Sequence, residues 1–310
     1  MLTIYQTDKK VLSELKEIRP DSWIHMVEPT EEEVRFVSES LDIEMDLIYA
    51  ATDEEERSRV ESENGNILIL VDSPIVEEED SGFVYNCLPV GIILTDKNII
   101  TVCLKDVAMI RSFYERRLIN FSTKKRNRFL LQLLYRNATM FLNYLKQVDK
   151  ASVRIESELH KSMKNKELIQ MLKLEKSLVY FSTSLKSNEV VMEKLLRMSF
   201  IREYSDDTDL LEDVIVENKQ AIEMCTIYRD VISGTMDAFA SVISNNLNIV
   251  MKLLTSITII LTIPTLLASL WGMNVPVPFG SDPYGFVKVG AIAAGLSLLV
   301  TYIMIKRKML

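Results

Sequence analysis

The stretch LLTSITIILTIPTLLASLW, residues 253–271, contains nineteen residues without a charged side chain and decides the fold class. A second uncharged run, VGAIAAGLSLLVTYIMI, covers residues 289–305. A helix rises ~1.5 Å per residue, so nineteen residues span ~28 Å, close to the hydrocarbon thickness of a bilayer. Both runs are therefore predicted to be transmembrane helices, although a pair of buried helices in a soluble protein gives a similar pattern.

The charges that flank the two apolar runs predict how the chain is oriented in a membrane. Lys252 precedes the first run, the basic segment 306–308 follows the second, and the loop between them holds Asp282 as its only charge before Lys288. Positive residues favour the cytoplasmic side, so we expect both termini in the cytoplasm and the loop outside. The chain begins without a signal-peptide pattern, so residues 1–252 are expected to stay in the cytosol.

The net charge is divided unevenly along the chain. The whole sequence carries −8, whereas the part from Leu253 onward carries four basic residues and one acid, so the first 252 residues hold −11. A large acidic body followed by a basic tail argues against a nucleic-acid partner. The same balance is compatible with the attraction of cations.

Cysteine and histidine are too few and too scattered to indicate a metal site. Cys87, Cys103 and Cys225 suit neither a disulfide framework nor a thiolate cluster, and each is expected to be a small buried residue. His25 is expected to be a satisfied core residue rather than a ligand, and His160 lies far from it in sequence. The chain contains neither a nucleophile–base set nor a Gly-rich phosphate loop, so we expect no enzyme and no organic cofactor.

The first 110 residues have the pattern of a compact α/β domain. Thr30, with Glu33 three residues later, is a helix-start signal for PTEEEVRFVSESL, residues 29–41. Strands and helices alternate, so the sheet is expected to be mixed or parallel. The predicted strands are LTIY (2–5), WIHMVE (23–28), NILILVDSPI (66–75), VGIILT (90–95) and NIITVCL (98–104).

The remainder of the chain is predicted to be almost entirely helical. From Thr123 to Trp271 it contains one glycine, Gly234, and one proline, Pro264, which is typical of long helices in a bundle. Three helices are predicted, at about 123–162, 165–202 and 207–271. The full set of segments is an α/β domain (1–110), antiparallel long helices (111–206), the cytosolic part of a stalk helix (207–252), a first membrane helix (253–271), an external loop (272–287), a second membrane helix (288–305) and a basic tail (306–310).

Polar residues recur every seven positions along the third long helix. One register reads Asp230, Asp237, Ser244, Met251, Thr258, Thr265 and Gly272, and its companion reads Gly234, Ser241, Asn248, Thr255, Thr262 and Ser269. Together they form a seam of the a/d type, whereas leucine and isoleucine occupy the other faces. Small hydroxyl residues could serve close helix packing in lipid. Alternatively, several copies of the helix surround a watery pore, and the carboxylates that continue the seam before the membrane favour this interpretation.

The tripeptide Gly272-Met273-Asn274 directly follows the first membrane helix. A divalent ion such as Mg²⁺ dehydrates reluctantly, so a binding site at a pore mouth has to hold its water shell. The side-chain carbonyl of Asn274 and backbone carbonyls near Gly272 suit that task, and Trp271 suits an interfacial anchor. The absence of charge also fits, because a strongly charged ring would hold a divalent ion too tightly to release it.

These features resemble the CorA family of magnesium transporters. The similarity is carried by YRDVISGTMDAFASVISNNLNIVMKLLT (228–255), PTLLASLWGMN (264–274), the two terminal spans, the basic tail, WIHMVEPTEEE (23–33) and RSRVESENGNILILVDSPI (57–75). The resemblance implies an α+β membrane protein with an N-terminal α/β cytosolic domain, a long helical stalk and two C-terminal transmembrane helices. It also implies a homopentameric funnel in the cell membrane, with Mg²⁺ as both transported and regulatory ion.

The resemblance assigns roles to particular residues. Gly272, Met273 and Asn274 would form the external selectivity motif, with Asn274 as the first contact of the hydrated ion. Asn248 and Thr265 would be polar pore rings, and Met251 and Leu254 would belong to a hydrophobic constriction. The predicted pore-lining set is Ser241, Ser244, Asn248, Met251, Leu254, Thr255, Thr258, Thr262, Thr265 and Ser269.

Regulatory metal sites are implied by the same resemblance. Asp237 would supply a cytosolic sensor site between neighbouring subunits, and Asp213 with Glu217 would lie near a second one. Asp230 is a further candidate ligand. The partner carboxylate of Asp237 is left open among Asp72, residues 77–80 and Asp96.

Two features depart from the family pattern. The loop VPVPFGSDPYGF, residues 275–286, replaces the acidic MPEL-like segment of many members, so the external cation-concentrating ring is in doubt. Thr262 stands where a bulkier apolar residue is common, so the constriction is expected to be wider or wetter.

Three alternatives to a magnesium channel remain at this point. A ZntB-like zinc transporter would share the fold, but zinc prefers His and Cys ligands, which the seam lacks. The transported ion could also be Co²⁺ or Ni²⁺. A non-conducting, membrane-anchored metal sensor or scaffold is the rival of a different class.

Overall fold

The computed structural model describes residues 1–9, 11–79, 82–115, 121–162, 165–280 and 282–307, with only the backbone described for residues 79, 82 and 162. The chain divides into two compact units, Met1–Met236 and Asp237–Leu310. The strands are β1 (Leu2–Asp8), β2 (Val11–Leu15), β3 (Trp23–Val27), β4 (Arg59–Glu63), β5 (Asn66–Glu79), β6 (Gly82–Leu94) and β7 (Ile99–Cys103). The helices are α1 (Glu31–Leu41), α2 (Met45–Tyr49), α3 (Ala108–Tyr114), α4 (Arg126–Ser162), α5 (Asn165–Leu195), α6 (Ser199–Arg202), α7 (Ser205–Trp271) and α8 (Gly285–Lys306).

The first unit contains a mixed seven-stranded sheet in the order β2-β1-β3-β7-β6-β5-β4. β3 and β7 pair in parallel, and the other neighbours pair antiparallel. The prediction of a mixed or parallel sheet is therefore confirmed in its mixed form. The two outer strands, β2 and β4, were not predicted, because VLSEL and RVESE are only five residues long and both contain Ser and Glu, as edge strands facing water often do.

The sheet is covered on both faces because alternate residues of each strand point to opposite sides. Ile24 and Met26 pack with residues of α1 and α2 on one face. Trp23, directly before Ile24 in sequence, packs with residues of α3 and α4 on the other face. The predicted capping box begins α1, because Thr30 Oγ1 accepts the Glu33 N–H and the Glu33 carboxylate accepts the Thr30 N–H.

Long helices form a second core in the first unit. Leu145 of α4, Phe181 of α5 and Cys225 of α7 are buried in one apolar cluster. The helix predicted over 165–202 is wrong at its C-terminal end. α5 ends at Leu195, where the Met198 N–H closes a turn on the Leu195 carbonyl at 2.9 Å, and Met198 itself is extended before α6 begins.

Two helices qualify as membrane spans among the described residues, and the second unit contains all of α8 and the C-terminal part of α7. Helix α7 has 67 residues, includes Pro264, and passes from the first unit into the second. The apolar windows of α7 and α8 are almost wholly exposed in the single chain. Buried helices of a soluble protein would be covered, so this exposure supports membrane helices over that alternative.

His25 is the buried titratable group of the sheet core. It is 2% exposed, its Nδ1 lies 2.9 Å from Thr101 Oγ1, and its Nε2 has no hydrogen-bond partner among the described residues. The expectation of a satisfied core histidine therefore holds for only one of its nitrogens. Burial lowers the pKa of His25 to about 4, and the nearby carboxylate of Asp106 opposes that shift.

We predict that His25 makes the fold sensitive to acid. Its folded pKa of about 4 lies below the ordinary value of 6.5, so between these pH values the unfolded chain binds more protons than the folded chain. The contribution of neutral, buried His25 to the free energy of unfolding is fully present above pH 6.5. It is lost as the pH falls towards 4, by up to about 3 kcal/mol.

The measurement is denaturant unfolding of the detergent-solubilised protein at several pH values, with Trp271→Phe so that fluorescence reports the buried Trp23 alone. His25→Phe should flatten the acid side of the stability profile. Equal losses of stability in the parent and the His25→Phe variant would contradict the assignment.

Candidate functional site

The polar seam predicted on α7 is uncovered in the single chain. Every one of its ten predicted pore-lining residues is exposed, including the apolar Met251 and Leu254. The others are Ser241, Ser244, Asn248, Thr255, Thr258, Thr262, Thr265 and Ser269. The chain thus presents a continuous row of polar and small apolar side chains along one side of α7.

This seam faces away from α8. Residues two positions apart on a helix are separated by about 200°, so Thr258 and Thr262 both point opposite to Ile260. Ser256, which is fully buried, lies on the α8 side. Pro264 and Leu267, on that same side, line a cavity of about 410 Å³ together with residues of α8. The contact with α8 therefore leaves the polar side of α7 open.

The threonine hydroxyl groups of the seam have a defined hydrogen-bond direction. Thr258, Thr262 and Thr265 donate to the carbonyls four residues earlier, at 2.9, 2.7 and 2.9 Å respectively. A carbonyl can only accept, so each hydroxyl proton is directed to its own helix. The remaining lone pairs face outward, which makes this part of the seam a row of hydrogen-bond acceptors.

The Gly-Met-Asn segment follows directly on the last turn of α7. The Gly272 N–H donates to the Ala268 carbonyl at 2.9 Å, and a Cβ at Gly272 would lie only 3.2 Å from that oxygen. Met273 and Asn274 are exposed. Within the part of the chain that the structure describes, the Asn274 side chain makes no hydrogen bond, so its amide is available to water or a ligand.

The loop after this segment folds back on the end of α7. Trp271 Nε1 donates to the Pro278 carbonyl at 3.0 Å. A Cβ on Gly285 would lie 2.3 Å from the Phe279 carbonyl oxygen, so only glycine permits this approach of loop and helix. Phe279 itself has a left-handed backbone with φ of 60°.

Asp282 is committed to the start of α8. Its Oδ1 accepts the Tyr284 N–H at 2.9 Å, and its Oδ2 accepts a charge-assisted bond from Lys288 Nζ. The bond from Lys288 lowers the pKa of Asp282. Sequence reasoning missed this pair, although an aspartate just before a helix is a known capping signal that could have indicated it.

The candidate regulatory carboxylates all lie on α7. Asp237 and Asp213 are exposed, and Glu217 is half-buried one turn after Asp213. Asp230 accepts a hydrogen bond from Arg229 Nη2 at 3.1 Å. Among the described residues, no group of three His, Cys, Asp or Glu side chains could hold a metal ion.

The possible partners of Asp237 differ in their surroundings. Asp72 is largely buried on β5, where its backbone N–H and C=O pair with the side-chain amide of Asn188, and burial raises its pKa. Glu77 pairs with Lys105 at 2.5 Å. Asp96 is exposed in the turn before β7. Residue 80 lies outside the described residues.

Thiols do not contribute to a site. Cys103 and Cys225 are buried, and Cys87 is half-buried. Burial raises the pKa of Cys103 to about 12 and that of Cys225 to about 11. A thiol that stays protonated is a poor zinc ligand.

The sequence matches one protein family and two known transport proteins. The family model described as "CorA-like Mg2+ transporter protein" matches residues 22–307. The cobalt/magnesium transport protein CorA of Methanocaldococcus jannaschii is 26% identical over 295 residues, covering 91% of this chain and 89% of that protein. The protein of the same name from Thermotoga maritima is 30% identical over 148 residues, covering 44% of this chain and 42% of that protein.

Solved structures agree with the sequence matches. The complete CorA magnesium transporter from M. jannaschii superposes with a TM-score of 0.86 at 25% identity, covering 98% of this chain and 97% of that chain. The cytoplasmic domain of ZntB from Vibrio parahaemolyticus shares the fold, with a TM-score of 0.59 at 11% identity over 79% of this chain and 96% of that chain.

These matches confirm the predicted fold class, with a soluble α/β domain, a long helix and two C-terminal apolar helices. They also confirm the resemblance on which the functional assignment depends. The chain belongs to the CorA-like family of Mg²⁺ transporters, which are membrane transport proteins.

Proposed function

We propose that this chain forms a channel that admits hydrated Mg²⁺ into the cell along a path lined by the polar seam of α7. The observation that carries the proposal is the exposure of that seam. An uncovered row of hydroxyl and amide groups is costly in hydrocarbon unless it meets water or protein. Several copies arranged around an axis would place the seam against water.

Five copies is the number that the family resemblance implies. A single α7 cannot enclose a path, and the side chains of Asp213 and Asp237 on α7 are exposed, so a neighbouring chain can reach them. Both observations support a homo-oligomer whose subunits share the pore and the regulatory sites.

The proposed topology keeps the segments predicted from the sequence. Residues 1–110, 111–206 and 207–252 lie in the cytosol, and the spans are 253–271 and 288–305. The loop 272–287 faces outside, and the basic tail 306–310 faces the cytoplasm. Residues 308–310 of this tail lie outside the described residues. The exposed Lys306 and Arg307 at the end of α8 support this orientation in the cell membrane.

The seam suits a cation that travels with its water. Water bound to a divalent cation presents its hydrogens outward, and the threonine lone pairs accept such hydrogens. The seam has no charge within the membrane span, so the ion is bound weakly enough to leave. The membrane potential supplies ~2.3 kcal/mol per charge per 100 mV, or about twice that for a divalent ion.

Mg²⁺ is the proposed ion, with Co²⁺ as the second candidate because both matched relatives are named as cobalt/magnesium transport proteins. Ni²⁺ belongs to the same class of hydrated divalent ions. The seam contains no His or Cys side chain, which disfavours a zinc carrier.

Closure by cytosolic Mg²⁺ is the proposed regulation. Carboxylates of Asp237 from several copies near one axis repel, and a divalent ion bridging them to a neighbouring subunit offsets that repulsion. Loss of the ion frees the subunits, and the constriction near Met251 and Leu254 then opens or hydrates. Asp230, Asp213 and Glu217 are proposed as additional, weaker ligands.

The proposal is tested by Mg²⁺ uptake into liposomes that contain the purified protein and a Mg²⁺-sensitive dye, at low internal Mg²⁺ and with an inside-negative potential. We expect uptake by the wild type. Asn274→Ala should reduce uptake to the level of protein-free liposomes, because it removes the amide that holds the water shell at the mouth.

The matched control is Asn245→Ala, the same chemical change at an exposed position of α7 outside the seam. It should retain uptake. A wild type that conducts neither Mg²⁺ nor Co²⁺ under these conditions would contradict the channel and favour the sensor or scaffold.

We further predict that Asp237→Asn weakens inhibition by internal Mg²⁺. Removing one carboxylate per subunit should raise the half-inhibitory concentration about tenfold, within the usual range of coupling between sites. Uptake is measured in the same liposomes preloaded with graded Mg²⁺. Asp209→Asn, at an exposed position near the start of α7, is the control and should leave the inhibition unchanged. An unchanged inhibition curve for Asp237→Asn would remove Asp237 from the sensor.

A further inference from the structure

The two charged side chains of the outer loop form an ion pair with each other. Between Gly272 and Lys288 the sequence holds one acid, Asp282, and one base, Lys288 itself. These two side chains bond to each other. We infer that Lys288 neutralises Asp282 and thereby holds the net charge of the pore mouth at zero, which makes Lys288 a determinant of apparent affinity for the cation. This inference rests on the proposed channel function.

Asp282 has little capacity left for a cation. One carboxylate oxygen accepts from Lys288 Nζ, and the other accepts the Tyr284 N–H at 2.9 Å. Its backbone carbonyl accepts the Gly285 N–H at 2.9 Å. The acid is therefore engaged in the turn before α8 and as the partner of a lysine, and its role is local.

The backbone of the loop fixes the position of the pair. Lys288 Nζ lies 5.3 Å from the centroid of the Phe279 ring, which favours a cation at that point. The Phe279 carbonyl is held against Gly285, and Pro278 is bonded to Trp271 at the end of α7. Lys288 is thus held at the same end of the helix pair as Gly-Met-Asn.

A neutral mouth has a consequence for ion capture. Fixed carboxylates at a pore entrance would raise the local cation concentration and the capture rate by ~10- to 10³-fold at low ionic strength. With Asp282 paired, the long-range field of each loop largely cancels. Capture then depends on Asn274 and the backbone carbonyls, which act only at short range. The pair is partly exposed, so it contributes little to stability and its two charges can be altered separately.

The test compares Lys288→Gln, Asp282→Asn and the double variant in the liposome assay at low ionic strength. Lys288→Gln exposes a carboxylate and should lower the half-saturating external Mg²⁺ concentration about tenfold, the lower end of what focused charge provides. Asp282→Asn exposes the ammonium group and should raise it. Asparagine can still accept the Tyr284 N–H, so the turn before α8 is retained.

The double variant is the internal control. It restores a net charge of zero and should return the half-saturating concentration to near the wild-type value. Both single-variant shifts should disappear at high salt because of screening. A general disturbance of the loop would instead move both single variants in the same direction, and that result would overturn the inference.

A second measurement separates this inference from the channel proposal. Trp23 is fully buried, so ionic quenchers report on Trp271 near the mouth. Relative to the wild type, Lys288→Gln should raise the ratio of quenching by Cs⁺ to quenching by iodide. Asp282→Asn should lower this ratio. These shifts without any Mg²⁺ uptake would refute the channel but support the neutral mouth. Uptake with unchanged quenching ratios and unchanged half-saturation would refute the neutral mouth but support the channel.

Discussion

The structure depends on one constraint: a helix long enough to cross a bilayer carries hydroxyl groups on the side that its own chain leaves open. The hydroxyl groups of Thr258, Thr262 and Thr265 each donate their proton to a carbonyl within α7. The lone pairs of these oxygens still need a hydrogen-bond donor, and lipid does not provide one. Water on the open side meets that requirement, and a pore between copies of α7 would supply it.

Neutrality is a common property of the seam and the mouth. The seam holds no charge within the span, and the two charges of the outer loop are paired. A divalent cation that keeps its water shell needs many weak acceptors rather than a few strong ones, because tight binding slows release. The exposed carboxylates Asp213 and Asp237 of α7 lie before the membrane span.

Much of this arrangement could be predicted from the sequence because it follows from periodicity. The two uncharged runs, the seven-residue register and the capping box at Thr30 depend on neighbours within one or two turns. Features that depend on tertiary contacts were missed. The edge strands β2 and β4 have only five residues each, too few to be distinguished from loops, and α5 ends at a turn that has no Gly or Pro signal. The pairing of Asp282 with Lys288 requires a loop whose path is set by Phe279 and Gly285.

The central claim is that the seam of α7 faces water, and cysteine accessibility tests it most directly. Thr262→Cys, in a background with the natural cysteines replaced by alanine, is treated in liposomes at low Mg²⁺ with a cationic, water-soluble thiol reagent. Ile257→Cys and Ile263→Cys, which lie more than a quarter-turn from Thr262 on either side of the helix, are the comparisons. We expect rapid modification of Thr262→Cys and slow modification of the other two. Thr262→Cys reacting no faster than the isoleucine replacements would contradict a water-filled seam and favour helix packing in lipid.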